Sequence, residues 1–138
     1  MKVTRDGRQI KVDVAPDGEG LVSHAGSALL AGIADSSGLT RALSRELQGV
    51  KQRCSGHDSG RVVRDLAVML AGGGECLADL GTVRDQQPLY GAVASGATAF
   101  RVIDRIASDP QGLERMRGAH AAARADSSAV PITGAATA

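Results

Sequence analysis

The sequence predicts a mainly α-helical protein: a helical bundle with a helix-turn-helix-like unit, preceded by a short N-terminal β-hairpin. Three observations predict it. Apolar residues recur at three- and four-residue spacing from about Ser23 to Ala123. Cap and stop residues punctuate these runs at Asp58-Ser59, Gly72-Gly73-Gly74, Ser95 and Asp109-Pro110. A clear apolar–polar alternation occurs near the start, at Ile10, Val12 and Val14. The chain has 138 residues, a length that suits one domain. Its aromatic residues are Tyr90 and Phe100, so Leu, Val, Ile and Ala must build the core.

Residues 1–19 read as hairpin and loop. Val3 precedes an Asp6-Gly7 pair, which favours the tight turn whose twist matches paired strands. Two strands alone are marginal in water, so this hairpin needs a partner surface. Residues 20–125 read as the helical domain. In the first helix Ala25, Leu29, Leu30 and Ile33 share a face, and Ser36-Ser37-Gly38 stops it. Leu39, Ala42, Leu43 and Leu47 define a second, with Arg41, Arg45 and Glu46 outside. Residues 48–60 are polar, basic and turn-rich, as an exposed loop would be.

Asp58 or Ser59 can cap the third helix by accepting from its free N–H groups. Val62, Val63, Leu66, Ala67, Met69 and Leu70 are apolar nearly all round, the mark of a buried central helix. The three glycines end it. Leu77, Leu80 and Val83 form a short fourth helix, and residues 88–96 a loop containing Tyr90. Ser95 precedes a fifth helix with Phe100, Ile103 and Ile106 facing inward. Asp109-Pro110 starts the last helix, carrying Leu113, Met116, His120 and Ala123 at helical spacing. Residues 126–138 are small, polar and aperiodic, and are expected to be disordered.

Charge is unevenly distributed. Sixteen Lys and Arg against fifteen Asp and Glu leave a net charge of +1. Yet residues 41–64 carry six basic groups against Glu46 and Asp58, and residues 101–124 carry five Arg against three acids. The stretch between is acidic. The two basic segments could form one positive face after folding, or an ordinary mixed surface. The scarcity of aromatic residues argues against a base-stacking platform for single strands.

The fifth helix suits the role of a recognition helix, which enters the major groove with its N-terminal residues forward. Thr98 could bond a phosphate near that helix N-terminus, where backbone N–H groups favour anions. Arg101 and Arg105, four apart on one face, could each pair with guanine or clamp a phosphate. The plainer alternative is a solvated face balanced by Asp104. Arg61, Arg64, Lys51 and Arg53 are candidates for further phosphate contacts.

Other motifs carry less. His57-Asp58 beside Cys54 and Ser55 invites a catalytic reading, but sequence neighbours rarely form a triad, and a turn or cap suits them better. His24 and His120 are isolated. Asp65, Asp79 and Asp104 lie on three helices, and each can simply balance a nearby Arg. Cys54 and Cys76 have no further Cys or paired His at zinc spacing, so no metal site is expected. No secretory signal and no membrane-length apolar run is present, which makes the cytoplasm the expected location.

The strings GLVSHAGSALLAGIADSSGLTRALS, GHDSGRVVRDLAVMLAGGGECLADLGTVRDQ and VASGATAFRVIDRI resemble the N-terminal region of bacterial insertion-sequence transposases of the acidic-triad (DDE) type, in the group-one transposase domain. The resemblance covers residues 20–125, and its most specific part is residues 56–84. It implies a helical domain concerned with DNA recognition and assembly, with transposon-end DNA as partner. Homo-oligomers, or pairing with intact transposase, are further partners it allows. In the family, three carboxylates of a ribonuclease-H-like domain hold divalent metal such as magnesium. Here the helix matching residues 113–125 is followed by SSAVPITGAATA, with no apolar strand bearing an Asp, so no catalytic residue carries over and the chain reads as truncated. The expectation is thus a DNA-binding transposase fragment involved in DNA transposition. The alternatives are an interaction module that dimerises with or inhibits intact transposase, or a decayed gene product without activity.

Overall fold

The computed structural model describes residues 2–6, 9–13, 25–50 and 56–128. Seven α-helices make up the described fold: α1 (Ala25–Ser36), α2 (Leu39–Glu46), α3 (Ser59–Ala71), α4 (Leu80–Arg84), α5 (Gln87–Tyr90), α6 (Gly96–Ser108) and α7 (Gly112–Ser128). Short extended segments β1 (Lys2–Asp6) and β2 (Gln9–Asp13) precede them, with Val3 paired to Val12. The expected hairpin turn at residues 7 and 8 lies outside the described residues, and the fold class rests on the helices: the protein is mainly α.

The helix boundaries follow local chemistry. Gly38 joins α1 to α2 at φ 77°, a left-handed conformation that costs glycine nothing. Asp58 caps α3, its side chain accepting from Arg61 N, and it also accepts from Ser44 Oγ on α2 at 2.5 Å. The cap therefore ties two helices as well as satisfying one end. Gly72 and Gly73 close α3, and Gly73 takes φ 92°. A single 3-10 turn, Leu77–Asp79, leads into α4.

The core is aliphatic apart from Tyr90. Leu43 of α2 and Leu47 at its C-terminal cap, Val62, Leu66 and Met69 of α3, Leu80 and Val83 of α4, and Val93 and Ala94 before α6 are buried together. Helix α2 is central: α3 packs on one side of it and α7 on another. Close approach is enforced at Gly60, where an added Cβ would collide with the backbone nitrogen of Ser44. Gly60 and Ser59 are thus buried helical residues, whereas an exposed loop was expected through position 60.

Four further expectations are corrected. Tyr90 does not sit in a loop: Gln87–Tyr90 is a turn of helix with Pro88 at its start, and Tyr90 is buried. Helix α3 is not buried all round, because Ala67 and Leu70 face solvent. Helix α7 starts at Gly112, since Asp109 turns the chain by accepting from Gln111 N through its side chain and from Gly112 N through its carbonyl. It also runs to Ser128, so residues 126–128 belong to the helix and not to a tail. Residues 129–138 lie outside the described residues.

The fourth correction concerns phase. In α6 the buried residues are Ala99, Val102 and Ile106, while Phe100 is 58% exposed and Ile103 is also exposed. Helix α1 buries Ala28 and Ala31 and exposes Leu29, Leu30 and Ile33. Helix α7 buries Ala119 and Ala123 and exposes Leu113 and His120. In α1 and α7 alanines face the core, and in α6 Ala99 does so beside Val102 and Ile106; close packing favours the small residues. Gly96 at the start of α6 lies so near Leu77 that a Cβ would stand 3.0 Å from its carbonyl oxygen. Alanine lets helix backbones approach where larger side chains would hold them apart.

Candidate nucleic-acid interface

Helix α6 begins at a side-chain cap: Ser95 Oγ accepts from Thr98 N at 3.3 Å and lies 3.1 Å from Thr98 Oγ1. This holds the Thr98 hydroxyl, half-buried, at the first turn. Arg101 is exposed and Arg105 half-exposed, three and seven residues beyond Thr98. Spacing of three and four places all three on one helical face. That face lies one residue from the buried Ala99–Val102–Ile106 stripe, so the core fixes its direction.

Arg61 lies beside Gly91. It is exposed on α3, and its Nη2 would stand 3.4 Å from a Cβ added at Gly91. Gly91 begins the short segment leading to the α6 cap. Thr98, Arg101, Arg105 and Arg61 are therefore presented at the surface. Lys51 and Arg53 lie outside the described residues.

Arg64 is different. Its side chain is 2% exposed, and every direction of its guanidinium points at acid. Nη1 lies 3.0 Å from both carboxylate oxygens of Asp35, while Nε and Nη2 lie 2.9 and 2.5 Å from Asp65 Oδ1. Thr40 Oγ1 donates to Asp35 Oδ1 at 2.6 Å. Burial works against the Arg64 charge, but the Asp65 and Asp35 carboxylates more than offset it and hold the group charged. Burial also pushes the Asp65 carboxyl up, against the pull of Arg64. A guanidinium sealed in this way cannot reach a phosphate, so the expected Arg64 contact is corrected. Arg64 instead joins α1 to α3 across the α2 N-terminus. The sequence could not show this, because Asp35 is distant along the chain. Tyr90 adjoins the cluster; burial raises its hydroxyl against a hydrogen bond with Ser27.

Of the basic groups of residues 41–64, Arg64 is therefore withdrawn from the surface. Arg45 pairs with Glu46 and Arg117 with Glu114 on the surface, contacts of little energetic weight.

The acidic residues have separate duties. Asp65 neutralises Arg64 in the interior. Asp79 does not balance an Arg: its Oδ2 accepts from Glu75 N and Cys76 N, which holds its carboxyl below the usual range. Asp104 is exposed on α6. Among the described residues no three His, Cys, Asp or Glu side chains come together as a metal-holding group, and these donors do not fit a family-type metal pair. His57 is half-exposed beside the α3 cap, while Cys54, Ser55 and His24 lie outside the described residues. Cys76 is an exposed free thiol. Among the described residues no helix is long and apolar enough to cross a membrane.

Comparison with curated proteins finds no match, and comparison with solved structures finds none either. Comparison with protein families does find one, the Transposase DDE domain group 1 family, matched over residues 4–131. The match extends past the resemblance at residues 20–125 in both directions and spans nearly the whole chain. With a helical core that holds the matched segments together, the chain belongs to the Transposase DDE domain group 1 family, whose function is transposition-related.

Proposed function

We propose that this helical unit binds double-stranded DNA at transposon ends, with α6 as its main contact element. The observation that carries the reading is the Thr98–Arg101–Arg105 face, directed outward by a fully packed inner stripe and started by a side-chain-capped helix terminus. Backbone N–H groups at such a terminus favour phosphate. The two arginines supply charge-assisted hydrogen bonds to phosphate or guanine. Arg61 adds a phosphate contact from α3, and Lys51 and Arg53 are further candidates for phosphate contacts. The unit α3–α6 then acts in the manner of a helix-turn-helix, with α3 as support and α6 as reader. The β1–β2 pair closes as a hairpin at the N-terminal edge, and the chain works where DNA is, in the cytoplasm.

In this reading the domain recognises and positions DNA. Strand cleavage belongs to metal-bearing carboxylates that the described residues do not assemble. Four phosphate contacts would make log affinity fall against log salt with a slope of roughly −3 to −4. A gel-shift series with duplexes carrying the element's terminal repeats tests the proposal. Retardation that weakens with that slope supports it; no retardation, or retardation indifferent to salt, contradicts it.

A further inference from the structure

Helix α6 turns more than cations outward. Its buried stripe is Ala99, Val102 and Ile106, and successive residues of a helix step round by about 100°. Ala97 therefore points away from the core, and it is exposed. Arg101 flanks Ala97 on one side, toward Thr98 and Arg105. Phe100 flanks it on the other and is 58% exposed. A small residue thus stands between a guanidinium and an aromatic ring on the outward surface of one helical turn.

Phe100 is the chain's one phenylalanine. It is no part of the apolar groove between α3 and α7, which α6 lines with Ile103, Ile106 and Ala107. It lies instead in the first half of α6, the half that leads when a recognition helix enters the major groove. Asp104 is exposed one turn beyond it. That carboxylate repels phosphate, which favours close approach by the N-terminal half.

We infer, resting on the reading of α6 as the DNA-contacting helix, that Phe100 is a specificity-determining residue whose ring packs on the C5-methyl of a thymine in the bound DNA. In the major groove thymine presents that methyl beside its O4 acceptor, and apolar side chains recognise it by contact. Phosphate contacts position a protein on the duplex but carry no sequence information, so Thr98, Arg105 and Arg61 alone give grip without choice. Phe100 adds the choice: its ring meets a methyl on thymine and a bare C5–H on cytosine. Ala97, with only a methyl of its own, lets the helix come close between Phe100 and Arg101.

The test uses the full chain and terminal-repeat duplexes in which each thymine in turn is replaced by deoxyuridine. That replacement removes the C5-methyl and keeps the base pair. Fluorescence anisotropy should show wild-type affinity falling roughly fourfold at the contacted thymine, the worth of one buried methyl carbon. Phe100→Ala should bind the thymine and deoxyuridine duplexes alike at that position, and Phe100→Leu should keep part of the discrimination. Arg101→Ala should bind every duplex more weakly yet keep the deoxyuridine penalty. Because Phe100 is exposed, its replacement should leave helical circular dichroism unchanged, and Phe100→Leu serves alone if Phe100→Ala does not fold. Wild-type binding indifferent to every replacement overturns the role of Phe100 and leaves α6 as the DNA-contacting helix. A full penalty retained by the folded Phe100 variants does the same. Failure of the wild type to bind any duplex overturns both.

Discussion

Arg64 and Asp35, 29 positions apart, meet through one guanidinium nitrogen that lies 3.0 Å from both carboxylate oxygens. With Asp65 on the other side, the arginine fastens α1 to α3 in the interior. Arg64→Met leaves two acidic side chains facing each other with their cation gone. Removing one partner of a buried ion pair costs about 3–5 kcal/mol. Arg61→Ala, an exposed change one turn earlier, should stay within about 0.5 kcal/mol of wild type. Urea unfolding followed by circular dichroism compares the two. Equal midpoints would contradict the assigned role of Arg64.

Gly112 and Gly118 lie on the same helix and predict opposite outcomes. A Cβ at Gly112 would collide with the carbonyl oxygen of Ile106, so Gly112→Ala must force α7 away from α6. Overpacking of that kind costs about 1–3 kcal/mol. Nothing lies within 4 Å of a Cβ at Gly118, so Gly118→Ala should stabilise by up to about 1 kcal/mol through helix propensity. Thermal melts of the two variants check the pair.

Asp79 predicts a pH dependence. Its carboxylate accepts from Glu75 N and Cys76 N, which lowers its pKa in the folded state. A depressed folded pKa contributes stability that is present above the unfolded value and is lost as pH falls through the folded one. Asp79→Ala should therefore be less stable than wild type at neutral pH, and the gap should close on acidification below the ordinary carboxylate range. Melting temperatures of both proteins across that range give the answer; a gap that stays constant contradicts the assignment.

The sequence made the ends of the elements legible. Asp58, Ser95 and Gly72-Gly73 act as caps and stops through bonds within a few residues of themselves, which local pattern records. It also placed Leu43 and Leu47 correctly, because α2 has one apolar face against a charged one. It misplaced Phe100 and Ile103, since size suggested burial while α6 turns Ala99, Val102 and Ile106 inward. The fate of Arg64 was illegible for another reason. A run of basic residues looks alike whether its members meet solvent or a carboxylate from a distant helix. Tyr90 was missed because Pro88 signals a turn and a helix start equally well.

The most direct test of the central claim is fluorescence anisotropy of labelled terminal-repeat duplex across a salt series, comparing wild type with Arg101→Ala/Arg105→Ala. Both side chains reach away from the core, so the fold should be unchanged. Removing one arginine from a phosphate makes the salt slope shallower by about 1, so the double variant should bind more weakly with a slope shallower by about 2. Wild-type affinity and slope retained in that variant would contradict α6 as the DNA-contacting helix.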